Sequence, residues 1–188
     1  MTLVRAGWAT LGADALSLRA LAREIGVSAA ASYRHFPDKR ALLVAVAQEG
    51  HDLLREALEA AAAAHSGDAI EAFRAQGVAF VTFAQAHPAH FRVMNRRDIL
   101  AADGGALHTA FEADSPLMTG LRSVEGALGI PPEALNEAAL AGFATLYGLA
   151  RMAVDGHLMK LGVEEGELAA VATALTGVLE RGWRGGSN

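Results

Sequence analysis

Residues 27–43 read VSAAASYRHFPDKRALL, a run that sets three alanines beside a cluster of side chains able to grip an anion. Ser28 stands where a helix would begin. There its hydroxyl can accept a backbone N–H, and the aligned peptide dipoles favour an anion such as a phosphate. Ala29, Ala30 and Ala31 carry only methyl groups, which lets a helix backbone approach base edges and touch thymine methyls. Arg34 is the one long donor on that short helix, with reach to O6/N7 of guanine or to a phosphate. Any hydrogen-bonded base readout therefore falls mainly to Arg34, and the remaining selectivity to DNA shape and half-site spacing.

Other chemistries find little support. No Ser-His-Asp set, glycine-rich phosphate loop or His-Glu-x-x-His motif occurs. His87 and His90 are three apart, but Pro88 lies between them. The local sequence offers no cysteine or carboxylate to complete a metal site of three or four ligands. The chain has no cysteine at all, which excludes disulfides and thiolate catalysis. No catalytic residue, metal or cofactor is expected, and the chain does not read as an enzyme.

The elements that must position these residues are helical. The 188 residues are 52% hydrophobic and 20% charged, ample for a sizeable core. Alanine and leucine dominate, and β-branched residues are sparse, which favours helix over sheet. Periodicity predicts a short helix over Leu3 to Leu11, stopped at Gly12. Ser17 caps a second, with Leu18, Leu21, Ala22 and Ile25 on one face, ended by Gly26. Ser28 caps a third, to Arg34 or His35. Pro37 interrupts, and a long helix follows from about Lys39 to Ala64. Ser66-Gly67-Asp68 breaks the chain before a helix from Ala69 to about Ala86, and another begins near Pro88. Residues 106–127 read as helical, with an interruption near Ser115-Pro116. Two long helices close the chain, near Glu133 to Met159 and Glu164 to Arg181. The expected domains are 1–50 and 51–184, divided inside the long helix near Gly50, with a frayed tail at 185–188.

Two short helices joined by a tight glycine turn form a helix-turn-helix. The run SLRALAREIGVSAAASYRHFPDKRALL resembles the DNA-binding domain of TetR-family (tetracycline-repressor-type) transcriptional regulators over about residues 3–50. Gly26-Val27-Ser28, Tyr33, His35-Phe36, Lys39 and Leu42-Leu43 fall where that family has them. The resemblance implies that Tyr33 and His35 contact phosphates, that Lys39 is the phosphate-binding lysine, and that Ser17 and Arg19 make backbone or base contacts. Phe36 and Leu42 are expected in the core, and Arg23 and Arg40 in solvent. The family's first helix normally begins several residues earlier, often behind a basic arm. Here it starts almost at Met1, a departure expected to weaken phosphate contacts without altering the fold.

In the second part, residues 78–95, VAFVTFAQAHPAHFRVMN, resemble the ligand-domain segment of a subgroup of that family. Residues 138–158 resemble the subgroup's Trp-x-x-x-His-Gly signature, with Phe143 for the tryptophan, Tyr147 for the histidine, and Gly148 retained. Phe80, Phe83, Phe91, Met94, Phe111, Phe143, Tyr147 and Met152 are the candidates to line an apolar cavity, with Tyr147 as its polar handle. Each of them is equally at home as an ordinary core side chain.

The last helix carries a wide apolar stripe of Leu168, Val171, Ala172, Leu175, Val178 and Leu179, and its other side is small rather than charged. Such a helix is buried on most of its surface, and in a chain of this size a second copy is the obvious cover. The resemblance implies a four-helix bundle made from the final two helices of each subunit. Leu140, Leu168, Val171, Leu175 and Val178 are the expected interface residues.

The net charge of −5 divides unevenly. Residues 1–50 hold six Lys/Arg against four acids, a net +2, and the remainder hold ten against seventeen, a net −7. That asymmetry only weakly favours a nucleic-acid-facing end. No signal peptide is evident, and the uncharged stretch Ala138 to Ala150 is too short to span a bilayer. The expectation is an all-α, dimeric, cytoplasmic regulator with no membrane partner. It would bind a palindromic double-stranded operator, act as a repressor, and be released by a small apolar ligand. The alternative is a helical ligand-binding or protein-interaction module that does not bind DNA.

Overall fold

The computed structural model describes residues 38–96 and 116–185. These form six α-helices and three short 3₁₀ turns, with no strand among the described residues. The helices are α1 (Lys39–Ala63), α2 (Ala69–Ala86), α3 (Pro88–Met94), α4 (Pro116–Leu128), α5 (Leu135–Val154) and α6 (Leu168–Gly185).

Local chemistry sets several of the helix ends. Asp38 begins α1, its Oδ1 accepting the Ala41 N–H at 2.7 Å. Asp68 does the same for α2, accepting from Ile70 at 3.0 Å and Glu71 at 3.1 Å. Each carboxylate satisfies amides that a helix start leaves without partners and sits at the positive end of the dipole. Glu164 and Glu167 form a reciprocal capping box ahead of α6.

Two helices end on left-handed glycines. After α4, Gly129 has φ +68° and the Ile130 N–H returns to Glu125 O at 2.9 Å. After α5, Gly156 has φ +71° and the His157 N–H returns to Met152 O at 2.8 Å. This six-to-one bond is the Schellman arrangement, which only a residue free of a Cβ adopts without strain. It ends α5 at Val154, five residues before the end that periodicity predicts. Apolar residues continue past Gly156 in the sequence, but as a separate 3₁₀ turn, Leu158–Leu161.

The described residues divide into two compact units, 38–52 with 87–96, and 53–86 with 116–185. Helix α1 supplies residues to both, and α3 groups with the first. In the first unit Leu42, Leu43, Val46 and Ala47 are buried on one face of α1. Gly50 lets α3 come close, since a Cβ there would lie 2.6 Å from Met94 Sδ and 3.1 Å from His90 Cβ.

In the second unit α2 is the central helix, packed against α4, α5 and α6. One core is built from Phe73, Leu121, Val124, Leu128, Ile130 and Ala138, with Trp183 packed on it. Gly77 of α2 sits against both neighbours. A Cβ there would be 3.3 Å from Leu146 of α5 and 3.3 Å from the Thr176 hydroxyl of α6. Helix α6 buries Leu168, Ala172, Thr176 and Glu180, a stripe of every fourth residue. No described helix is long and apolar enough to cross a membrane.

Candidate functional site

Of the residues expected to contact DNA, Ser17, Arg19, Ser28, Ala29, Ala30, Ala31, Tyr33, Arg34 and His35 lie outside the described residues. Lys39 lies within them. It is the first residue of α1, half-buried, directly after the capping Asp38. Asp38 thus fixes where the helix starts and with it where Lys39 leaves the backbone. Leu42 is in the core at 1% exposure and Arg40 is exposed.

The aromatic residues expected to line one cavity are divided. Phe80 of α2 meets Phe143 of α5 edge-on, with ring centroids 6.3 Å apart. Phe143 stacks on Tyr147 one turn further along α5, at 5.5 Å and 24°. These three therefore form one continuous aromatic contact between α2 and α5, a preferred geometry for such pairs. Phe80 and Phe83 are buried, and Phe143, Tyr147 and Met152 are half-buried. Phe91 and Met94 belong to the first unit instead, both buried on α3. The His87-Pro88 break separates α2 from α3, so one run of sequence serves two packing units. Phe111 lies outside the described residues.

The His87/His90 pair gains a neighbour that the local sequence did not offer. His90 Nε2 lies 3.8 Å from Glu49 Oε2 of α1, and the His87 ring is edge-on to that of His90 at 5.9 Å. Among the described residues no group of three or more metal-ligating side chains occurs.

Sequence reading missed a buried ion pair. Glu180, 2% exposed on α6, accepts from Arg74 Nε at 2.7 Å and Nη2 at 2.5 Å. Arg74 also pairs with Glu71 on its own helix. The hydrogen bond to Glu180 is the main cause that holds the Arg74 guanidinium well above its ordinary value. This forked contact and the Gly77–Thr176 approach lie one turn apart, so α2 and α6 are keyed both ionically and sterically. The signal was present but faint: Glu180 is four residues beyond Thr176 on an otherwise apolar face.

The expected interface residues also separate. Leu168 is 2% exposed and lies in the chain's own core, so it has no surface to offer a partner. Its position on the stripe shared with Ala172 and Thr176 is the reason. Val171 and Leu175 are half-buried, while Leu140 of α5 and Val178 of α6 are 68% and 55% exposed. In a single chain α5 and α6 thus leave large aliphatic side chains in water.

Comparison with known proteins matches two family models. Residues 7–46 match the model described as bacterial regulatory proteins, tetR family. Residues 73–179 match the model described as tetracyclin repressor-like, C-terminal domain. Curated proteins give no match. Among solved structures, a protein of unknown function from Rhodococcus sp. RHA1 is 33% identical, with 96% of this chain and 92% of that one aligned at a TM-score of 0.71. The TetR family transcriptional regulator PfmR from Thermus thermophilus is 23% identical over 90% of each chain, at a TM-score of 0.66. A single-substitution variant of TetR from Acinetobacter baumannii AYE, in complex with minocycline, is 20% identical over 97% of this chain and 94% of that one, at 0.58. The second model alone spans more than half of the sequence, and the first supplies the helix-turn-helix read from residues 17–35. The chain belongs to the TetR family of DNA-binding transcriptional regulators.

Proposed function

We propose that this regulator is a ligand-responsive repressor that binds a palindromic operator as a homodimer and is released by a small, largely apolar molecule. The observation that carries the reading is the exposed aliphatic face of α5 and α6, bearing Leu140 and Val178, in a chain that joins a tetR-type N-terminal domain to a repressor-like C-terminal one. A second copy covers that face and, by two-fold symmetry, presents two recognition helices to successive major grooves. The complex of the TetR variant of similar fold with minocycline supports a response to a small ligand.

Ligand binding shifts the protein only through its differential affinity for the DNA-competent and released states. Helix α1 contributes to both units and begins at Lys39, so it is the element through which a change in the second unit reaches a phosphate contact. A salt-titrated mobility-shift assay with the intergenic DNA upstream of the gene tests the reading. Affinity is expected to fall steeply with salt, because phosphate contacts release counterions. Absence of binding at every salt concentration would instead support a helical module that does not bind DNA.

A further inference from the structure

We infer that Arg74 and Glu180 are a positioning pair. Their forked contact sets the register of α6 on α2, and through it the angle at which two copies of the chain meet and the spacing of the operator half-sites they accept. The consequence for half-site spacing rests on the dimeric, operator-binding reading above; the register of α6 does not.

Near this pair the α2–α6 contact brings the helices close without fixing how they slide or turn. Helix α6 buries Ala172 and Thr176 ahead of Glu180. Thr176 donates its hydroxyl proton to Ala172 O at 2.9 Å, within its own helix. Opposite stands Gly77, where a Cβ would lie 3.3 Å from that hydroxyl. A methyl, a turned-in hydroxyl and a glycine make a shallow surface, with little of the ridge-and-groove relief that sets how two helices cross. The fork differs in kind. Its two parallel N–H···O bonds, at 2.7 and 2.5 Å, form only when guanidinium and carboxylate face each other nearly in one plane. Glu71, one turn earlier on α2, also binds the Arg74 guanidinium. The donor is therefore aimed from α2 itself, and the Glu180 carboxylate has one place to meet it.

Burial makes the fork selective rather than simply adhesive. The Glu180 side chain is 3% exposed, so a slipped α6 would leave its charge in the core unanswered. A buried ion pair adds little net stability over an apolar pair of the same volume, so its main effect is to disfavour the wrong registers. The lever from the pair to the surface is short. Val178, 55% exposed, precedes Glu180 by two residues on the same helix, so any turn or slide of α6 carries it directly. In a two-fold contact both copies carry the same displacement, and the change in their angle enters twice.

The chain has no cysteine, so Glu56→Cys, at an exposed position of α1 in the second unit, gives the full chain a single spin label per copy. Double electron–electron resonance between the two labels then reports the angle between copies. Arg74→Met with Glu180→Leu removes the fork and keeps the volume, and is expected to fold and pair. Its distance distribution should be about twice as broad as that of the labelled chain without it, because no buried charge rejects the other registers. Arg74→Lys keeps the charge and loses the fork, and should broaden the distribution to a lesser degree. Mobility shifts use an operator with one base pair added or removed between half-sites, a turn of about 35°. Preference for the best spacing is expected to fall from roughly tenfold to roughly threefold or less in the joint variant. A joint variant with the original distribution and the original spacing preference would overturn the inference and leave the pair a structural tie only. If the joint variant does not fold, Arg74→Lys decides, and an unchanged distribution there overturns it. Absence of coupling between labels in the otherwise wild-type chain would remove the homodimer and the inference with it. A narrow distribution in a chain that binds no DNA removes the operator reading alone, and broadening in the variants still decides the register.

Discussion

Arg74 and Glu180, 106 residues apart in sequence, meet through two parallel hydrogen bonds that tie α2 to α6, although Glu180 is only 2% exposed. A carboxylate in that position is costly unless its charge and its lone pairs are answered. Arg74→Ala removes the answer and leaves the acid stranded. The expected loss is about 2–4 kcal/mol of unfolding free energy, toward the lower end because a third of the Arg74 side chain is exposed to water. Arg74→Met combined with Glu180→Leu should recover most of it, since an apolar pair of similar volume needs no desolvation. Urea denaturation of the single and joint variants measures both. A joint variant as unstable as Arg74→Ala would show that the pair's charge is not the cause.

His51 gives the first unit a pH dependence whose sign is fixed by its surroundings. Burial lowers its pKa from the ordinary 6.5, and the nearby Asp52 carboxylate opposes that only in part. The unfolded chain therefore takes up a proton near pH 6.5 that the folded chain resists. Stability from this group is fully present above the unfolded value and is lost as pH falls through the lower, folded value. His51→Gln should flatten the stability curve on the acid side of pH 6.5 relative to wild type. Unfolding measured at intervals from pH 7.5 to pH 5 checks it, and parallel curves for the two proteins would exclude His51 as the source.

What sequence reading reached, and what it missed, follows from the range of the interactions. Asp38 and Asp68 act on amides two or three residues away, so the starts of α1 and α2 were readable directly. The stacking of Phe143 on Tyr147 is likewise a contact across one helical turn. Phe80 on Phe143 and Arg74 on Glu180 are contacts between helices far apart in the chain, and residue spacing carries no record of them. The end of α5 failed for a different reason. Apolar periodicity continues to Met159, and only the left-handed Gly156 with its returning hydrogen bond shows that the helix has stopped. Leu168 and Val178 read alike in sequence, as members of one stripe on α6. Ten residues at about 100° each set them about 80° apart, and the buried stripe drifts the other way, from Leu168 toward Glu180, so Leu168 lies in the core and Val178 in solvent.

Lys39 and Arg34 should fail in different ways when removed. Lys39, at the capped start of α1, is expected to hold a phosphate, so Lys39→Ala should weaken every DNA sequence by a similar factor. It should also reduce the slope of log affinity against log salt by about 1. Arg34 is expected to carry most of the base-directed hydrogen bonding, so Arg34→Ala should relax preference among operator variants, at about 1–3 kcal/mol for the base pair it reads. Mobility shifts on an operator and single-base variants, each at several salt concentrations, separate the two effects. Loss of base preference in both variants would overturn this division.

Leu140 and Val178 supply the sharpest test of the homodimer, because the fold of one chain does not need them. Their side chains are 68% and 55% exposed, so Leu140→Glu and Val178→Glu add charge to a surface the chain itself leaves open. Each should lower the solution mass from that of two chains toward that of one, with helical content retained. DNA affinity should fall with it, since a single recognition helix reads only one half-site. Leu168→Glu is the control with the opposite cause. At 2% exposure its charge would enter the core, and unfolding rather than clean dissociation is the expected result. Sedimentation and far-ultraviolet dichroism on the three variants distinguish these outcomes. A monomeric wild type would overturn the homodimer, and Val178→Glu chains that remain paired would place its contact elsewhere than on the outer face of α5 and α6.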